Sequence, residues 1–185
     1  MCTGSRAAND ARGTRLYCGA MRFRLSLALV FALSASAGAQ GDALSHLRFL
    51  LGDWRAIDTP AGETGTFTFR LAVQDHVIVR TNEASYAATA DRPASRHDDL
   101  LVIFSENGSL QADYFDNEGH VIRYAVQTPA PNVATFVSEP SAREPRYRLT
   151  YRGDAHGALA GSFEIAPPGS PDAFTPYLAW KARRR

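Results

Sequence analysis

Cysteine is nearly missing from this chain. Only Cys2 and Cys18 occur in 185 residues. From residue 40 onward there is none, which excludes a disulfide framework, a thiol nucleophile and a cysteine metal site in that part. No apolar run reaches the roughly 20 residues that a membrane-spanning helix needs. Neither sign of charge dominates: 20 basic residues face 19 acidic ones. Nucleic acid and anionic membrane are therefore not expected partners. The chain also lacks a Gly-x-Ser-x-Gly elbow, a phosphate-binding glycine loop and a zinc-protease motif. The sequence singles out no catalytic residue and gives no support for an enzyme.

The N-terminal part reads as targeting rather than fold. Met21, Arg22, Phe23 and Arg24 make a positive start, and residues 25–33 form an apolar run. Ala37-Gly38-Ala39 then fits the small-x-small cleavage rule. The expectation is a signal peptide over residues 21–39, cleaved near Ala39, with a periplasmic or secreted product. Residues 1–20 match no signal and read as a gene-model extension or a disordered lead, with Met21 an alternative start. Residues 40–185 then form one domain. Cleavage removes five of the 20 basic residues and one of the 19 acidic ones, so the product has a net charge of −3. At 185 less 39 residues it is large enough to stand on a core without disulfides.

What is abundant is strand-sized alternation. Phe67, Phe69 and Leu71 alternate with Thr66, Thr68 and Arg70, the period of a half-buried strand. Tyr147, Leu149 and Tyr151 alternate with arginines and a threonine in the same way. Asn107-Gly108 between two such runs is the strongest short hairpin signal. Asp116 to Gly119 and Gly153 to Gly157 read as further turns. Residues 87–98, with Pro93, Ser95 and mixed charge, read as the longest loop. Residues 100–105, apolar on both faces, read as a strand covered on both sides. The pattern predicts an all-β fold: an antiparallel up-and-down barrel of about ten strands. An open β-sandwich is the alternative.

Before the first strand comes Leu47-Arg48-Phe49-Leu50-Leu51-Gly52-Asp53-Trp54. It predicts a short plug helix capped by Ser45 and stopped by Gly52 in a left-handed conformation. Trp54 follows with a large apolar ring and one N–H to satisfy. The Gly-x-Trp opening, the many hairpins and the Phe174, Tyr177, Trp180 ending resemble lipocalin-like (calycin) barrels of the secreted bacterial type. The chain lacks the mid-chain Thr-Asp-Tyr signature of true lipocalins. The resemblance implies that Gly52 and Trp54 help close one barrel end, with Lys181 or Arg183 packed across the ring. It also implies binding of a small hydrophobic or amphipathic ligand. Haem-binding relatives of this class use one axial histidine, for which His120 and His156 are the candidates here.

The residues expected to line such an interior are Tyr114, Tyr124 and Tyr151, hydroxyls among apolar walls. Arg80 would pair with a carboxylate ligand if its strand face points inward. Val77 and Val79, on the opposite face, would fill the core if it points outward, and they favour that placement. His120 joins the set as a rim residue. His97-Asp98-Asp99 has cation-binding chemistry but reads better as a solvated loop. The alternative function is a non-catalytic interaction domain with a filled barrel and an exposed apolar patch.

Overall fold

A computed structural model describes residues 43–185. The expected signal peptide and lead segment lie outside the described residues. Among the described residues, no helix is long and apolar enough to cross a membrane.

A short turn of helix and a 3-10 turn, Arg48–Leu50, precede ten strands. The strands are β1 (Gly52–Ile57), β2 (Glu63–Ala72), β3 (Val77–Tyr86), β4 (Ser95–Glu106) and β5 (Ser109–Asp116). They continue as β6 (Val121–Ala130), β7 (Val133–Ser138), β8 (Arg146–Gly153), β9 (Leu159–Ala166) and β10 (Thr175–Arg184). Each pairs antiparallel with the next, and β1 pairs with β10, so the sheet closes into a barrel. Closure excludes the open sandwich.

Local chemistry explains the hairpins. Asn107 and Gly108 both hold positive φ, 51° and 79°, and alone join β4 to β5. A two-residue turn with both φ positive matches the twist of the flanking strands. Period-two alternation then aims one set of side chains inward. Phe69, Ile78, Leu101, Ile103, Phe136 and Tyr151 are fully buried. Burying each is worth roughly 1.5–3 kcal/mol.

Leu44, Leu47 and Leu50 plug one end. Trp54 is buried there, and its Nε1–H donates to the Leu50 carbonyl at 2.7 Å. Leu47, not Ser45, occupies the N-cap position of the 3-10 turn, with no side-chain cap. The basic residue over the Trp54 ring is Arg184, 4.7 Å from the centroid. It is neither Lys181, which reaches Asp58 at 3.4 Å, nor Arg183, which lies opposite Arg55. The reason is register. Ala182 and Arg184 share the face that meets Trp54, and β10 runs on to Arg184. Arg184 Nη1 also donates to the Leu51 carbonyl at 2.6 Å. Gly52, at φ 132°, makes room for this guanidinium: a Cβ there would fall 2.2 Å from Nη1.

Three other expectations are corrected. The loop expected over residues 87–98 ends earlier, because β4 begins at Ser95. The break that Pro129 and Pro131 predict after Gln127 is instead carried within β6 as a register shift against β7. The strand over 100–105 is covered on one face only: Leu101 and Ile103 are buried, while Leu100 is exposed.

Candidate functional site

The end opposite the plug is where the interior turns polar. Strands β3, β4 and β5 bring the relevant residues there, and the register sets their neighbours. Asn82 lies opposite Asp99, and Arg80 opposite Leu101. Arg80 is 5% exposed, so the face that carries Ile78, Arg80 and Asn82 points inward. The outward placement favoured by Val77 and Val79 is overturned. Both valines are only half-buried, on the outside.

Arg80 spans the barrel. Its Nη2 donates to Asp99 Oδ1 and its Nη1 to the Tyr151 hydroxyl on β8. Asn82 Nδ2 donates to Asp99 Oδ2 at 2.9 Å. The Asp99 side chain is only 4% exposed. Burial disfavours the charge on Arg80, but Tyr151 and Asp99 outweigh it and hold the guanidinium protonated. One atom is left over: Arg80 Nε is buried and has no hydrogen-bond partner.

Above this floor lies a second layer. His97 Nε2 is 3.1 Å from the Tyr114 hydroxyl and 3.4 Å from Asp99 Oδ2. Its Nδ1 is 3.3 Å from Glu118 Oε1. Tyr114 donates to Asp116 Oδ2 at 3.3 Å. The β5–β6 turn holds Asp116 in place. Its Oδ1 accepts the amides of Glu118 at 3.0 Å and His120 at 2.9 Å. Its Oδ2 lies 2.8 Å from His120 Nδ1. Burial opposes ionisation of Asp116, yet the His120 bonds and the Glu118 amide hold its carboxyl below the usual range. Burial, aided by Asp99, raises the Tyr114 phenol. Burial likewise raises Tyr124 and Tyr151, so all three phenols stay protonated donors at neutral pH.

The facing wall is aromatic. Tyr147 and Phe163 stack at 5.8 Å, both half-buried. Trp180 meets Tyr151 edge-on at 5.8 Å. Gly161 makes space for that indole, since a Cβ there would lie 2.1 Å from its ring. Tyr177 stands against Phe163 at 6.1 Å and is 72% exposed. A shallow surface depression borders the same end, between Gly62, Tyr86 and Ser95.

Of the residues singled out from sequence, the fold brings Arg80, Tyr114, Tyr151 and His120 into one network through Asp99, His97 and Asp116. Tyr124 lies in the aromatic core against Phe136, 6.2 Å away. His156 lies in the exposed β8–β9 turn, at the plug end. His120 is 59% exposed and bound to Asp116. Both histidines lie in exposed turns. Sequence reasoning missed Asp99, His97 and Trp180 as interior groups. The signal was present: His97, Asp99, Leu101 and Ile103 alternate in phase.

No protein-family model matches the chain, and no curated protein shows significant similarity to it. The closed ten-strand antiparallel barrel is consistent with a calycin-like fold.

Proposed function

We propose that the protein is a secreted or periplasmic binding barrel that takes a small amphipathic molecule through its open end. The apolar part would lie against Tyr147, Phe163 and Trp180. The polar part would meet Arg80, Asn82 and Tyr114. The observation that carries this reading is the Arg80 Nε–H, buried and unpartnered within an otherwise satisfied network. Leaving such a donor unmade costs about 1–3 kcal/mol. A ligand oxygen entering from the mouth would supply the missing acceptor, next to half-buried aromatic rings that already face inward.

The test uses the two tryptophans as separate reporters. Trp54 is locked at the plug and Trp180 stands in the mouth. Native mass spectrometry of protein purified from the periplasm, followed by titration with a fatty-acid panel, should show an adduct and a fluorescence change. W180F should abolish the fluorescence change. A bare mass throughout, or a change that survives W180F, overturns the reading.

One observation favours the interaction-domain alternative. Leu100, Phe115 and Val121 are 36%, 40% and 61% exposed, and they lie in register across the outer face of β4, β5 and β6. If the mouth takes no ligand, that patch is where a protein partner would be sought.

A further inference from the structure

The upper layer of the mouth has a chemistry that an amphipathic ligand does not explain. His97, Asp116 and Glu118 each offer one ligand atom, all within 4.8 Å of one another. His120 Nδ1 lies 2.8 Å from Asp116 Oδ2 and 3.9 Å from Glu118 Oε2. Zinc-class ions sit about 2.0–2.2 Å from nitrogen and carboxylate donors, which puts neighbouring donors about 3.4 Å apart in a tetrahedron. The paired donors, at 2.8, 3.3 and 3.9 Å, straddle that value, and the side chains of His120 and Glu118 are exposed.

Two independent features support the cluster as a metal site. The first is orientation. His97 turns Nδ1 toward Glu118, and Nε2 toward the Tyr114 hydroxyl at 3.1 Å and Asp99 Oδ2 at 3.4 Å. A ligating histidine characteristically presents its far nitrogen to a carboxylate, which fixes the tautomer and raises its basicity. Asp99 is itself anchored by Arg80 and Asn82. The second is the inventory of groups. The mouth gathers three carboxyl groups, Asp99, Asp116 and Glu118, and the Arg80 guanidinium is bonded to Asp99 alone among them. A divalent cation is the ligand whose sign suits that excess of acidic groups.

We infer that the barrel mouth is a binding site for a divalent transition-metal ion of the zinc class, with His97, Asp116 and Glu118 as ligands, His120 as the fourth, and Asp99 orienting His97. Mixed imidazole and carboxylate donors suit Zn²⁺, Co²⁺ or Ni²⁺ rather than the all-oxygen preference of Ca²⁺ or Mg²⁺. The inference does not rest on the amphipathic-ligand reading.

Calorimetry of the purified, chelator-stripped protein with ZnCl₂ tests it, with CaCl₂ and MgCl₂ as comparison ions. The expected result is one zinc site per chain and no comparable heat from the other two ions. H97A and E118Q should each weaken zinc binding at least tenfold. Glu118 is exposed, so E118Q keeps the fold even if a change at Asp116 does not. D99N should weaken binding roughly 10–100-fold without removing a ligand. Co²⁺ loading should give visible absorption bands that H97A loses. Absence of zinc binding, equal binding by calcium, or undiminished affinity in both H97A and E118Q overturns the inference. None of these outcomes touches the Trp180 titration, so the two readings fail separately.

Discussion

Replacing Arg80 by methionine is the sharpest perturbation that the fold offers. The side chain is held inside the barrel at 5% exposure, and its partner Asp99 at 4%. R80M keeps most of the aliphatic volume but strands the Asp99 carboxylate with one donor, Asn82 Nδ2 at 2.9 Å, and a neighbouring imidazole at 3.4 Å. It also deprives the Tyr151 hydroxyl of the Arg80 bond. Breaking a buried pair from one side costs about 3–5 kcal/mol, because an uncompensated charge remains. For a chain of this size that lowers the melting temperature by about 6–20 °C. D99N should cost a similar amount by stranding the guanidinium. The double variant removes both charges, so its loss should fall short of the sum of the singles by about 2–3 kcal/mol. Urea unfolding of the three variants and the parent, followed by far-UV circular dichroism, measures all four corners. A loss under about 1 kcal/mol for R80M, or strict additivity, would mean that water reaches the pair and that the barrel floor is wet.

G161A places a methyl group where the Trp180 indole lies, 2.1 Å from ring atoms. The ring must move, at about 1–3 kcal/mol, and a red-shifted tryptophan emission should accompany the lowered denaturation midpoint. On the outer face Arg148 holds Glu164 through two 2.7 Å hydrogen bonds, and this lowers the Glu164 carboxyl against a smaller burial effect. A depressed carboxyl stabilises the fold above its unfolded-state value and loses that contribution as pH falls through the folded one. R148M should therefore cost about 0.5–1 kcal/mol near pH 7 and less near pH 3. Thermal melts at the two pH values check this, and an equal loss at both would refute the assignment.

The barrel itself was legible because most strands obey a clean two-residue alternation and the Asn107-Gly108 hairpin has only one good geometry. The plug was legible from the density of leucines before Trp54. The errors have physical causes. Strand β3 opens with Val77, Ile78 and Val79, apolar on both faces, so its phase is undetermined locally. A one-residue slip in phase exchanges the two faces, and Arg80 went with the wrong one. Its true partner, Asp99, is 19 residues away, and only the β3–β4 register brings them together. Residues 95–98 looked like a solvated loop because their charge is mixed. In the strand, Arg96 and Asp98 pair outside at 2.7 Å while His97 and Asp99 turn inward. The turn after β2 carries positive φ at Val73, Gln74 and Asp75, with no glycine among them to announce it. The clasp over Trp54 was misplaced by one step of the same alternation, from Arg183 to Arg184.

The order of pairing also says something about how the ring is made. Nine of the ten strand pairs join sequence neighbours, and each forms as a hairpin. The tenth brings Arg184 to Leu51, 133 residues apart in sequence, the most non-local pairing of the ring. It has four registered residue pairs, as β1–β2 does, against ten between β2 and β3. The β1–β10 seam is thus the last to close and the first to breathe, which faster amide exchange there than along β2–β3 would register. Each opening bares two raw strand edges, the template on which aggregation starts. Arg55 and Arg183 face each other across that seam, a like-charge pairing that weakens the closed ring slightly. On an opened molecule the same two arginines become gatekeepers, leaving each bared edge charged against a second copy.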